Sequence, residues 1–135
     1  MTPLYMLDTN ICIYISKHKP LAVKARFESF KPGQVVMSVV TYGELHYGAS
    51  KSEYRNRALE KLQVLIELIP VEHLDLAVAQ AYGELRAFLE RRGQAIGNND
   101  LWIGAHALSR NLTLATNNER EFSRVPGLTV ENWAT

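Results

Sequence analysis

Hydrophobic and polar positions along this chain switch repeatedly between two periods. Leu4 to Leu7 is a short apolar run of strand type, and Thr9 to Lys17 follows with Ile11, Cys12 and Ile15 at helical spacing. A second amphipathic helix is expected over Leu21 to Phe30, a turn at Pro32-Gly33 and a β-branched strand over Gln34 to Val39. Next come a helix from Thr41 to about Gly48 and a longer one over Glu53 to Leu68, with Leu59, Leu62, Ile66 and Ile69 on one face. Ile69 to Val71 reads as a brief strand and Leu74 to Arg92 as a long helix. Gly93 to Gly97 is a loop. Leu101 to Arg110 predicts a helix whose Gly104, Ala105 and Ala107 permit close packing. Leu112 to Ala115 reads as a strand, Glu119 to Arg124 as a helical turn and Leu128 to Val130 as a last strand. Strands alternating with helices predict an α/β fold with a mostly parallel central sheet flanked by helices.

Composition narrows this picture. At 135 residues and 47% hydrophobic, the chain suits one domain around one core. Fifteen Lys and Arg stand against fourteen Asp and Glu, so the net charge is +1 and any phosphate binding must come from local clusters. Cys12 stands alone, which excludes an intrachain disulfide and suits a reducing compartment; it reads as a buried small apolar residue. No Cys/His cluster has zinc spacing. The first residues lack signal-peptide features, and no apolar run reaches the ~18 residues of a membrane span. A cytoplasmic location without membrane attachment is expected.

In parallel α/β sheets, ligands bind outside the carboxyl ends of the strands. Asp8 follows the first strand, Thr41 and Glu44 the second, and Asn117, Asn118, Glu119 and Glu121 the strand ending at Ala115, while Asp100 opens a helix. Each has a capping explanation. Asp8 fits an N-cap. Thr41-Tyr-Gly-Glu44 matches a capping box, and Asn118-Glu-Arg-Glu121 does so more loosely. Asp100 in a first turn suits the helix dipole. The joint pattern points to chemistry. Carboxylates gathered on one rim repel one another, and helix N-termini offset only about 0.3–1 kcal/mol each. A divalent cation offsets far more, and such a site can activate water and stabilise a leaving oxygen at a phosphodiester.

Four segments carry a resemblance. They are Met6-Leu-Asp-Thr-Asn10, Ser38-Val-Val-Thr-Tyr-Gly-Glu-Leu-His-Tyr-Gly48, Ile96-Gly-Asn-Asn-Asp-Leu-Trp-Ile-Gly-Ala-His-Ala107 and Leu114-Ala-Thr-Asn-Asn-Glu-Arg-Glu-Phe-Ser-Arg-Val125. In order and kind they are similar to the motifs of PIN-domain ribonucleases, and specifically of the VapC toxins of bacterial toxin–antitoxin pairs. The resemblance implies one PIN domain over residues 1–135, a three-layer sandwich with endoribonuclease activity dependent on Mg²⁺ or Mn²⁺. Asp8 and Asp100 would carry the metal and Glu44 would complete the acidic cluster. Many relatives have Asp near Asn118; here Glu121 is the acid that substitutes, with Asn118 offering its side-chain oxygen. Many relatives also have Gly-Pro-x-Asp where this chain has Asn98-Asn99 before Asp100, a change in loop stiffness.

Thr9 and Asn10 lie beside the pocket in the family, Thr116 follows a strand and could orient a water or a carboxylate by hydrogen bond, and a plain reading makes all three polar helix-start or turn residues. The resemblance also implies a homodimer and a VapB antitoxin. That antitoxin would block the pocket and tie a larger assembly to operator DNA. The run Pro126-Gly-Leu-Thr-Val-Glu-Asn-Trp133 is similar to VapC members that cleave initiator tRNA in the anticodon stem-loop.

Lys17, Lys19, Lys51, Arg55, Arg57, Arg91, Arg92, Arg120 and Arg124 are candidate RNA contacts, Arg120 first because it lies between site residues. Tyr42, Tyr47 and Trp102 could stack on bases, with core or interface packing as the plainer role. His46 and His106 read as packing or hydrogen-bonding histidines. A phosphatase of the haloacid dehalogenase type is a rival, as is a non-catalytic partner-binding module. The phosphatase would want an Asp where Asn10 stands.

Overall fold

A computed structural model describes residues 2–135. The chain runs β1 (Tyr5–Leu7), α1 (Thr9–Lys17), α2 (Leu21–Glu28), β2 (Val35–Ser38), α3 (Val39–Ser50), α4 (Arg55–Leu68), β3 (Val71–Glu72), α5 (Leu76–Arg91), α6 (Asn98–Ser109), β4 (Thr113–Ala115), α7 (Glu119–Phe122) and β5 (Val130–Glu131). The strands form one sheet in the order β3-β2-β1-β4-β5, with every pairing parallel. No helix among the described residues is long and apolar enough to cross a membrane.

The strands are short and apolar because the sheet is covered on both faces. Leu7, Val35, Met37 and Ala115 point to one side, where α1, α2 and α4 contribute Ile11, Ile15, Val23, Leu62 and Leu65. Met6, Val36 and Leu114 point to the other, against Ile103 and Ala107 of α6 and Phe122 of α7. Helix α5 lies outside α6 and packs Leu85 and Leu89 against Leu101 and Ala105. Gly104 of α6 faces Phe122, whose ring carbons would lie 3.5 Å from an added Cβ, an ordinary packing contact. This is the flanked parallel sheet that the alternation of elements predicts, in the three layers that the resemblance implies.

Several boundaries differ from expectation. One shift is at α3, which begins at Val39 with Ser38 as its N-cap, the Ser38 hydroxyl accepting from the Val40 N–H at 3.1 Å. Thr41 is therefore not a cap but a buried residue of the first turn, so the Thr41–Glu44 capping box does not form. Helix α6 starts at Asn98, three residues before the expected Leu101, and places Asp100 in its first turn. Strand β3 is Val71–Glu72, because the α4 C-terminal cap falls on Ile69. Strand β5 is Val130–Glu131, shifted to face Leu114 and Ala115.

The order of the strands positions the site. From central β1 the chain moves outward through β2 and β3, then returns to β4 on the opposite side of β1 and continues to β5. The β1/β4 boundary is thus the topological switch point, where diverging connections leave a crevice at the carboxyl ends of the strands.

Candidate active site

Asp8 stands at that crevice. Leu7 is in register with Ala115, so the next residues, Asp8 and Thr116, meet at the rim. The Asp8 N–H donates to the Ala115 carbonyl at 2.9 Å, and the Thr116 hydroxyl donates to Asp8 Oδ2 at 2.7 Å. Asp8 Oδ1 accepts from the Thr9 N–H at 2.8 Å, so the residue also caps α1, as the plain reading predicted. Burial raises the Asp8 pKa, the two donors oppose the rise, and the charges of Glu44 and Glu121 add to it.

Helix α3 delivers Glu44 to the same crevice. Thr9 donates to Glu44 Oε1, and the Thr41 hydroxyl lies 3.2 Å from Thr9 Oγ1. A threonine hydroxyl has one proton, so Thr41 donates to Thr9 while Thr9 donates to Glu44. On its other oxygen Glu44 accepts from Asn99 Nδ2 at 3.2 Å. The long preference of Thr for capping hid the role of Thr41, which only the earlier start of α3 reveals.

Asp100 and Glu121 complete the group. Glu121 accepts from the Gly97 N–H at 2.7 Å and from Asn118 Nδ2 at 2.9 Å. Burial pushes the Glu121 carboxyl up, but those donors and the proton of Asp100 outweigh it and leave its pKa below the usual range. Asp100 has the opposite fate. Burial, then the charges of Asp8, Glu121 and Glu44, push its carboxyl up to about 7, and its proton is shared with Glu121. Asn118 thus presents its amide nitrogen to Glu121, with its own N–H bonded to Thr116 Oγ1 at 2.9 Å.

The structure brings Asp8, Glu44, Asp100, Glu121, Thr9, Thr116 and Asn118 into one network. Asn10 sits at its edge, bonded to Asn117 at 3.3 Å, and Asn117 in turn reaches the Tyr14 hydroxyl. Arg120 is exposed on α7. Trp102 stacks on Tyr82 with ring centres 3.7 Å apart, and Tyr42 packs on the core, as the plainer role predicted; Tyr47 does not, standing exposed. His106 is fully buried, paired with Ser38 Oγ at 2.9 Å, and burial with nearby Arg110 lowers its pKa to about 4. His46 pairs with Ser50 on the surface. Asn99, in the first turn of α6, and the Gly97 N–H join the site with no signal in the sequence, because neither a helix-start amide nor a backbone N–H carries a spacing pattern.

Among the described residues no three Asp, Glu, His or Cys side chains form a ready metal cage. An open magnesium site needs none, since that ion keeps several waters and takes one or two carboxylates. The donor set fits such an ion. Asp8 and Asp100 offer hard oxygen donors, and Asp100 faces other acids rather than a cation. A divalent ion supplies the opposite charge that this carboxyl lacks.

Comparison with known proteins agrees with this geometry. The family model described as "PIN domain" matches residues 5–128. The chain is similar to a "tRNA(fMet)-specific endonuclease VapC" of Shigella flexneri, with 45% identity over 130 residues, 96% of this chain and 98% of that protein. It is similar to "Ribonuclease VapC2" of Rickettsia felis, with 40% identity over 131 residues, 96% of this chain and 98% of that protein. Among solved structures, it matches the DNA-bound VapBC of Salmonella typhimurium at a TM-score of 0.92 and 39% identity, covering 98% of this chain and 99% of that one.

Proposed function

Because the chain belongs to the PIN-domain family and is a VapC ribonuclease, the toxin of a VapBC toxin–antitoxin pair, we propose that its acidic pocket cleaves initiator tRNA with the help of a magnesium ion. The observation that carries this is Asp100, a carboxyl pressed by three other acids at the switch point of the sheet. Asp8 and Asp100 would hold the ion, with Mn²⁺ a possible substitute. When bound, it supplies Lewis acidity at the phosphate and makes a nearby water more acidic. Asp100 would hold the ion in its ionised form, giving up the proton it holds in the metal-free chain.

The chain's own groups divide the remaining work. Thr9 and Asn99 hold Glu44 at a fixed orientation, with lone pairs left to accept a proton from water. Gly97 and Asn118 hold Glu121 ionised beside Asp100, as a second acceptor. Thr116 fixes Asp8. A water nucleophile leaves the 2′-OH out of the chemistry, so preference for RNA rests on binding. Initiator tRNA as substrate is supported by the tRNA(fMet) specificity in the name of the Shigella relative. The run Pro126–Trp133 contributes less: it forms β5 and buries Trp133 in the core. The phosphatase reading loses its ground at Asn10, whose amide is engaged with Asn117.

The VapBC neighbours support a VapB antitoxin as partner, and DNA binding by the whole assembly. A groove of about 380 Å³ among α1, α2 and α4, lined by Ile15, Phe27, Val64, Leu65 and Leu68, offers apolar surface for it. Val64 is 57% exposed there, so α4 serves both core and surface. Leu76, 74% exposed at the start of α5, offers apolar surface to a second copy in a homodimer.

Purified chain and its Asp8→Asn variant, incubated with initiator and elongator tRNAs, test the reading. Cleavage of initiator tRNA is expected in Mg²⁺ or Mn²⁺, with loss in EDTA and in the variant, whose circular dichroism stays native. Cleavage that survives EDTA, or a variant as active as wild type, would refute it.

A further inference from the structure

A groove leaves the acidic pocket beside Glu44 and follows α3. Gly43, Glu44, Tyr47, Gly48 and Lys51 line it with Asn99 of α6, and it holds about 550 Å³. Its floor is bare helix, since a Cβ added at Gly43 or Gly48 would meet nothing within 4 Å. Tyr47 stands 66% exposed, and the Lys51 ammonium lies 4.7 Å from its ring centre. Lys51, and Arg55 at the start of α4, take part in none of the ion pairs among the described residues. From Glu44 to Lys51 the helix rises about 10 Å, some three stacked nucleotide steps of about 3.4 Å.

Resting on the nuclease reading above, we propose that this groove is the subsite for the RNA strand flanking the scissile phosphate. Tyr47 stacks on a base, Lys51 pairs with a backbone phosphate, and Glu44 marks where the strand enters the pocket. An aromatic platform beside a cation is how single strands are held with little regard to sequence. The order of charge along α3 suits this occupant. The cationic end takes the polyanion's backbone and the acidic end takes the single phosphate to be cut. The bare glycine floor lets sugar and phosphate approach the helix closely.

The test uses the full chain and a fluorescein-labelled anticodon stem-loop of initiator tRNA. Anisotropy in EDTA reads binding without cleavage, and kinetics in Mg²⁺ read KM and kcat. Tyr47→Ala is expected to weaken binding about 5- to 100-fold, mainly through KM, while Tyr47→Phe keeps it. Lys51→Gln is expected to flatten the slope of log K against log salt by about 0.7. Gly48→Leu favours helix but fills the groove, and is expected to weaken binding as Tyr47→Ala does. Unchanged affinity in Tyr47→Ala and Gly48→Leu overturns the subsite and leaves the nuclease reading standing, because wild type still cleaves. Failure of wild type to cleave overturns the reading and the subsite with it. If sedimentation shows that either variant halves the mass of the wild-type species, the groove is a contact between copies and the subsite is overturned.

Discussion

Replacing Asp100 by Asn should make the metal-free protein more stable while removing its activity. In the folded chain the Asp100 carboxyl is raised from its ordinary 3.8 to about 7. That distance corresponds to about 4 kcal/mol between protonation states. Solvent reaches this half-buried group and screens its neighbours, which leaves ~2 kcal/mol. Well below pH 3.8, the carboxyl is neutral in both folded and unfolded chains and costs nothing. Between pH 4 and 7 the unfolded chain ionises while the folded chain keeps the proton, so stability falls as pH rises. Above pH 7 the full penalty is present. Asn carries no charge, and its amide can still donate to Glu121 as the protonated carboxyl does. Thermal unfolding in EDTA should therefore show nearly equal stabilities at about pH 3, below the unfolded pKa, and a variant about 2 kcal/mol more stable at pH 8. For a chain of this size that is roughly 8 °C in Tm. Adding Mg²⁺ should raise the wild-type Tm and narrow the gap. A variant no more stable than wild type at pH 8, or a gap equal at both pH values, would refute the view that the acids strain one another.

Thr116→Val should strand Asp8 Oδ2 and the Asn118 N–H, costing about 1–3 kcal/mol and at least ten-fold in kcat. It should also move the acidic limb of the pH–rate profile upward, since Thr116 lowers the Asp8 pKa; an unmoved profile would show that Thr116 is mere packing. Ser38→Ala should cost about 1 kcal/mol for the lost cap of α3 and a similar amount for the unpaired His106, read by urea unfolding; a loss under ~0.5 kcal/mol would contradict the coupling of α3 to α6. Val64→Asp should weaken co-purification with the cognate antitoxin at least ten-fold and leave the RNA cleavage rate unchanged. Retained binding would move the antitoxin off the α1–α2–α4 groove.

The sequence by itself determined the element types, because their signals are local. Apolar runs bounded by turns made the strands, and the period of Ile11, Cys12 and Ile15 made α1. It also singled out the acids that the fold gathers, since Asp8, Asp100 and Glu121 sit near the ends of elements and Glu44 lies in the helix that follows a strand. Only the tertiary structure decided how those acids relate. The β1/β4 pairing joins residues more than a hundred positions apart, and no local pattern encodes that register. The same holds for Thr41, which local preference assigned to a cap and packing turned into a relay behind Thr9 and Glu44. Burial and mutual repulsion exist only once the chain has closed around the crevice. For that reason the sequence could name Asp100, and folding alone could set its proton near neutral pH.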